Sequence, residues 1–369
     1  MSAKNGSTRS FRSRGRLIGL AMAAVFAMSA LFAANASAHG PVNASYLALG
    51  DSLAFGYSQQ LYNENEKAGD PAASFEAGYV QDYYAKITKH VLVQEQNLGC
   101  PGETSASLIG NGPAGEALAA SSFKATTEAP CAYSSAWNAY HKNGTGGPLH
   151  IEYGGTKSQL EKALELIAVD AGTGKPVSVI TFNIGANDQL HAIHSCEVEV
   201  GTEYGTEGKS KYGSTPEEAV HNCLVAHIPT IIGSIIKNTE AAAYALRSGA
   251  FNGVPYTGKI IVQGGYDPYG AVFTKNVELL SGSLGLAALI NVKEQEAYEK
   301  PAIEGGFAPC ITNLFTTFNP GGGQEPHRLQ LYTNMANVTE FEGKKNGPDI
   351  HPTPVGYLKM ASLMKKQCG

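Results

Sequence analysis

The sequence predicts an α/β fold: a parallel sheet covered by helices on both faces. Short apolar runs that end on glycine or asparagine alternate along the chain with segments of helical period. That alternation is what a parallel sheet with crossover helices requires. Several of the helical segments also open on recognisable start signals.

In order, Ser45-Tyr46-Leu47-Ala48-Leu49 is an apolar run ending at Gly50, which suits a buried strand feeding a loop. Tyr79, Val80, Tyr83, Tyr84 and Ile87 then recur at helical spacing. Val91-Leu92-Val93 reads as a second strand, followed by the turn-rich Asn97-Leu98-Gly99-Cys100-Pro101-Gly102. Ser158 with Glu161 forms a capping box. It opens a helix whose Leu160, Ala163, Leu164, Ile167 and Ala168 share one face. Pro176 introduces a strand over Val177 to Phe182, which leads into Asn183-Ile184-Gly185-Ala186-Asn187-Asp188. Thr215-Pro216-Glu217-Glu218 starts a helix with proline at its first position. Lys259 to Gln263 is a fourth strand, and Thr353-Pro354 begins a last helix through Leu358, Ala361 and Leu363.

Two segments, from about Gly110 to Thr156 and from about Cys196 to Ser214, are rich in Gly, Ser and Thr without a clear period. Each exceeds an ordinary connection inside a domain. They read as disulfide-pinned surface excursions, and residues 39–369 as a single domain. Residues 1–38 read as a removable signal peptide: Arg9, Arg12, Arg14 and Arg16 precede an apolar run from Leu17 to Ala34, and Ala36-Ser37-Ala38 supplies the cleavage site. No other segment reads as a membrane span, so an exported, soluble monomer is expected.

A net charge of −5 with 16% charged residues offers no basic face for a nucleic acid. The six cysteines fit an exported chain with three disulfides. Pairing of sequence neighbours predicts Cys100–Cys131, Cys196–Cys223 and Cys310–Cys368.

Sites in open parallel sheets gather beyond the carboxyl ends of the strands. Four such junctions carry chemistry: Gly50-Asp51-Ser52-Leu53, the loop with Gly99, the loop with Asn187, and Asp349-Ile350-His351 before the last helix. Taken singly, each has an ordinary reading as a turn, a turn glycine, a side chain bonding its own backbone, or an exposed histidine. Taken together they offer a hydroxyl, a main-chain N–H, an amide donor and an imidazole with a carboxylate nearby. Acyl transfer needs that set.

On these blocks the sequence resembles the GDSL (SGNH) hydrolases, and the resemblance runs from residue 45 to the last helix. It implies a three-layer α/β/α sandwich with a flavodoxin-like parallel sheet. It further implies Ser52 as nucleophile, His351 as general base, and the Ser52 N–H, Gly99 N–H and Asn187 side chain as oxyanion donors. The family places an Asp three residues before the His. Here Pro348 holds that position and Asp349 lies two before, so either Asp349 or main-chain carbonyls orient His351. No cofactor is implied, and the partner would be a small-molecule or lipid ester. Esterases, lipases, phospholipases and acetylxylan esterases share the blocks, so the substrate stays open. Phe55, Tyr57 and Tyr62 are candidates for an acyl pocket or for core packing.

Two other classes compete. A metalloenzyme would use His191, His194, Cys196, His221, Cys223 and His227, whereas an exported chain pairs the two cysteines with each other. A non-catalytic binding module would lack one of the junction residues, and all four are present.

Overall fold

The computed structural model describes residues 44–68, 75, 77–87, 92–110, 157–249, 251–271, 277–298, 309–323 and 326–369. The expected signal peptide, Cys131 and the first of the two excursions lie outside the described residues.

Five strands form one parallel sheet: β1 (Ala44–Gly50), β2 (Leu92–Asn97), β3 (Val177–Asn183), β4 (Lys259–Gln263) and β5 (Cys310–Thr312). Their order is β2-β1-β3-β4-β5, the flavodoxin-like order. The order reverses between β1 and β3, and a crevice opens there at the carboxyl ends of both strands.

β1 lies inside the sheet and is buried along its whole length. Its side chains alternate between two cores, as the period of a strand requires. Leu47 and Leu49 pack with Leu160, Leu164 and Ile167 on one face. Tyr46 and Ala48 pack with Tyr79, Val80, Tyr83, Tyr357 and Met360 on the other. β4 divides in the same way, Ile260 and Val262 against Ile261. β2 extends beyond its apolar start through Gln94, Glu95 and Gln96; as an edge strand it tolerates polar residues. β5 has three residues, too few to show a period.

The helices that position the site are α1 (Ser52–Phe55), α2 (Gln59–Ala68), α3 (Tyr79–Ile87), α4 (Ser105–Ile109), α5 (Gln159–Gly172), α6 (Ala186–Glu207), α7 (Pro216–Ser248), α8 (Val277–Tyr298) and α9 (Pro354–Cys368). α5 and the carboxyl-terminal half of α7 cover one face of the sheet, and α3 and α9 the other. The capping box of α5 is formed: Ser158 Oγ accepts from Glu161 N at 3.2 Å, and Glu161 Oε2 accepts from Ser158 N at 2.9 Å.

Two expectations are corrected. The segment from Cys196 is helical as far as Glu207, not an irregular excursion. Gly201, Gly205 and the hydroxyl residues hide its period. Thr202 and Thr206 instead turn their hydroxyls back to the carbonyls of Val198 and Thr202, both within the helix. α7 is also long and apolar enough to cross a membrane by length and composition. Its carboxyl-terminal half is a core helix, with Ala242, Ala243 and Leu246 packed on the sheet.

Two disulfides join described residues. Cys196–Cys223 clamps α6 to α7, and Cys310–Cys368 ties β5 to the end of α9. Cys100 is also disulfide-bonded. The Cys310–Cys368 loop spans 58 residues, for which chain entropy gives about 4 kcal/mol. The double variant Cys310→Ala/Cys368→Ala should lose up to that amount in denaturant unfolding and keep its far-ultraviolet dichroism.

Candidate active site

The site begins where β1 stops. Gly50 has φ +149°, and a Cβ there would lie 2.3 Å from the carbonyl oxygen of Asn183. Only glycine lets the ends of β1 and β3 approach so closely. Gln159 grips this residue from α5, its Oε1 accepting from Gly50 N (2.6 Å) and its Nε2 donating to Gly50 O (2.9 Å). Asp51 caps α1 by accepting from Leu53 N at 2.9 Å. Ser52 is therefore the first residue of a helix, where the main-chain N–H has no intrahelical acceptor.

His351 arrives from the other end of the chain, in the loop before α9. Its carbonyl accepts from Asn334 N (2.9 Å) and from Asn334 Nδ2 (3.2 Å), and Tyr266 Oη donates to the adjacent Ile350 carbonyl at 2.5 Å. Thr353 caps α9 by accepting from Gly356 N at 3.1 Å, with Pro354 at the first helical position.

These anchors bring three side chains into line. His351 Nδ1–H donates to Asp349 Oδ1 at 2.6 Å. That fixes the tautomer, so Nε2 is left to accept from the Ser52 hydroxyl at 2.8 Å. The short Asp–His spacing works because Asp349 Oδ1 also accepts from the His351 main-chain N–H at 3.1 Å. This is an Asx turn, which folds the carboxylate back over the residue two places on. The second oxygen, Oδ2, accepts from Gln59 N at the start of α2 (2.8 Å). Both carboxylate oxygens are engaged, and the group is buried.

Ser52, His351, Gly102 and Asn187 line one cavity of about 480 Å³. Asn187 sits in the first turn of α6, and its Nδ2 donates to the Glu103 carbonyl at 2.9 Å. An amide carries two such hydrogens, so one remains for a ligand. Gly99 is a correction. Its N–H donates to Asn97 Oδ1 at 2.9 Å, and the residue packs on Ala54 behind Ser52. Gly102, three residues on, lines the cavity instead, in the left-handed conformation at φ +82°. Both glycines fall in one turn-rich run, and spacing alone does not say which of them faces the site. Gly102, Gln59, Asn334 and Tyr266 were not among the residues singled out from the sequence. Tyr57 lies against His351 with ring centroids 4.7 Å apart and planes tilted by 58°, and it lines the cavity; Phe55 and Tyr62 pack with Phe75, on which Tyr57 also stacks.

Buried carboxyl groups surround this constellation. Burial pushes Asp51 up to about 7, partly offset by the Leu53 N–H and by nearby His351. Burial likewise pushes Glu103 up to about 8, against the hydrogen bond from Ser107. Asp188 is raised by burial although it accepts from Ser105 Oγ (2.6 Å) and Ser105 N (2.8 Å), the two bonds that tie α6 to α4. Glu294 on α8, a further wall residue, is raised by burial to about 8.

The histidine and cysteine set does not assemble as metal ligands. Cys196 and Cys223 are bonded to each other, so their sulfurs are not thiolates. His227 lies beside them on α7, His191 lines the cavity, and His194 is exposed near Glu197.

No family model matches the chain, and no curated protein matches it. Three solved structures are similar to it in part. Phospholipase A1 from Streptomyces albidoflavus has 12% identity and a TM-score of 0.47, covering 88% of this chain and 99% of that one. The extracellular lipase from Streptomyces rimosus has 14% identity and a TM-score of 0.44, over 88% and 99%. LAE5, an α/β hydrolase from the metagenome of Lake Arreo, has 12% identity and a TM-score of 0.36, over 88% and 94%. At such scores, the chemistry has to be read from the geometry of the site.

The buried carboxyls make stability depend on pH. Below its ordinary value of 4.5, Glu103 is protonated in folded and unfolded chains alike. Between there and about 8, the unfolded chain releases the proton while the native state retains it. Stability therefore falls as pH rises through that window, by at most ~1.4 kcal/mol per pH unit. Glu103→Gln removes this titration. Its melting temperature should fall less than that of the parent protein between about pH 5 and about pH 8, as scanning calorimetry would show.

Proposed function

We propose that this chain is an exported serine hydrolase of the GDSL (SGNH) type, cleaving carboxylic esters through an acyl-enzyme on Ser52. The observation that carries this reading is the hydrogen-bonded line from Ser52 through His351 to Asp349, at 2.8 and 2.6 Å. A serine hydroxyl is a poor nucleophile unless a base takes its proton as it attacks. His351 Nε2 is placed to do so, and Asp349 stabilises the imidazolium that results.

The first half-reaction forms a bond from Ser52 Oγ to the ester carbonyl carbon. The negative charge on the carbonyl oxygen is met by the Ser52 N–H, the Gly102 N–H and the second Asn187 N–H. Collapse of the tetrahedral intermediate breaks the bond to the alcohol oxygen, which receives the proton from His351. Water then repeats the sequence on the acyl-enzyme, with His351 as base, and releases the acid. Substrate, water and these residues account for every atom and proton.

The cavity wall also bears on substrate class. None of its described lining residues is Lys or Arg. A reacting phosphate or sulfate ester would meet no Lys or Arg among these residues and would face the Asp349 carboxylate, so an uncharged reacting ester fits better. Two features support export: the disulfides, which persist in oxidising compartments, and the basic and apolar pattern of residues 1–38.

Ser52→Ala should cost on the order of 10⁶ in kcat on a short p-nitrophenyl ester. A fluorophosphonate should add its mass to the Ser52 peptide. Retained turnover, or label elsewhere, would refute the assignment. Asp349→Asn keeps an oxygen to accept from the His351 main-chain N–H and loses the charge, so kcat should fall by up to about 10⁴ with folding intact. A variant with near-normal kcat would leave a Ser–His pair as the working unit.

A further inference from the structure

A second cavity of about 660 Å³ lies between α6, α7 and α8. It shares two wall residues, Ile193 and Tyr269, with the cavity that holds Ser52 and His351. Between the two, a small apolar gap is bounded by Ala192, Leu224, Ile228 and Ile290. Ile290 also lines the first cavity, and Leu224 and Ile228 also line the second. The space leading away from the nucleophile is thus walled by aliphatic side chains from three helices. Its titratable side chains Glu197, Glu217 and His221 are exposed, and Ser283 donates its hydroxyl to Asp267.

Three features make this a built groove. The Cys196–Cys223 disulfide holds α6 against α7 and fixes two of its walls. Only 22% of the most apolar window of α7 is buried by the described residues, although that window has the composition of a membrane span. Val225 and Leu289, which line the groove, are 51% and 40% exposed. That stretch of α7, unlike the carboxyl-terminal half that packs on the sheet, presents hydrocarbon-binding surface rather than core.

We infer that this groove holds the acyl chain of a long-chain ester whose carbonyl sits at Ser52. The inference rests on the ester-hydrolase reading and adds the substrate class: lipid esters rather than acetyl or other short-chain esters. The occupant is a hydrocarbon because the walls are aliphatic. It belongs to the substrate because the groove shares Ile193 and Tyr269 with the cavity where the acyl carbonyl must lie, and the small apolar gap shares residues with both. Each methylene that enters gains at most about fourfold in kcat/KM, the equivalent of ~0.8 kcal/mol.

The test has a kinetic and a binding arm. For the mature protein, kcat/KM should climb from p-nitrophenyl acetate through butyrate and decanoate towards palmitate. Leu224→Trp fills the groove, and Leu289→Glu charges its exposed rim with little burden on folding. Each should lower the palmitate-to-acetate ratio of kcat/KM by about 10² or more. In the binding arm, Ser52→Ala protein is titrated with a dansyl-labelled long-chain alkyl ester, with and without Leu224→Trp. Saturable fluorescence enhancement that Leu224→Trp abolishes supports the groove even where no ester is turned over. A flat or falling chain-length profile with good acetate turnover would overturn the groove and leave the hydrolase reading standing. Failure of all turnover and of Ser52 labelling, with probe binding intact, would overturn the hydrolase reading alone. No probe binding by the Ser52→Ala protein would overturn the groove.

Discussion

The hydrogen bond between Ser52 and His351 joins residues 299 apart in sequence, and almost every local feature of the structure serves one of its two ends. On the serine side, Gly50 lets β1 close on β3, Gln159 holds both polar groups of Gly50, and Asp51 caps the turn that follows. On the histidine side, Asn334 and Tyr266 hold the backbone of the loop, and α9 begins immediately after it. α9 packs on the same face of the sheet as Tyr46 and Ala48 of β1. One hydrophobic core therefore sets the distance between Ser52 and His351. A small shift of α9 would break the contact, and the Cys310–Cys368 disulfide at its far end opposes such a shift.

The carboxyls behind Ser52 show what this arrangement costs. Asp51, Glu103, Asp188 and Glu294 are all held above their ordinary ionisation range by burial, and Asp51 Oδ2 has no hydrogen-bond partner among the described residues. Uncompensated buried charge is expensive, and a group in that position favours its neutral form. The positions of three of them have a structural account. Asp51 caps α1, Asp188 joins α6 to α4, and Glu103 lies beside Gln159 and Ser107, with its carbonyl accepting from Asn187. Each of these three is bonded to a residue that holds Ser52 or Asn187 in place, an arrangement in which stability is given up to hold a fixed geometry.

How much of this is legible in the sequence depends on how strongly each position is constrained. β1, β3 and β4 read clearly because buried parallel strands must be nearly continuous apolar runs. β5 and the polar half of β2 are edge segments, which carry no such requirement. α6 is hidden by Gly201, Gly205 and its threonines, since it is held by a disulfide and by packing more than by propensity. At the site, Ser52, His351 and Asn187 are legible as side chains at strand ends. The choice between Gly99 and Gly102 is not. Both are glycines in the same turn, and what separates them is the direction of an N–H. That direction is set by the Asn97 side chain, which takes the Gly99 amide for itself.

Asp349 shows how a departure in spacing can be absorbed by local geometry. In an extended chain, residues two apart project to the same side, and a carboxylate would run parallel to the imidazole rather than meet its Nδ1. The Asx turn changes that. By accepting the His351 main-chain N–H, Asp349 Oδ1 is drawn to within 2.6 Å of the ring nitrogen, so one oxygen serves the backbone and the ring together. The other oxygen closes on Gln59 at the amino end of α2, where the helix dipole favours negative charge. A carboxylate held on both oxygens has little freedom to rotate away. The shorter spacing therefore yields a rigid orienting group, at the cost of tying its position to α2. The geometry of the base depends on that helix as well as on the loop that carries it.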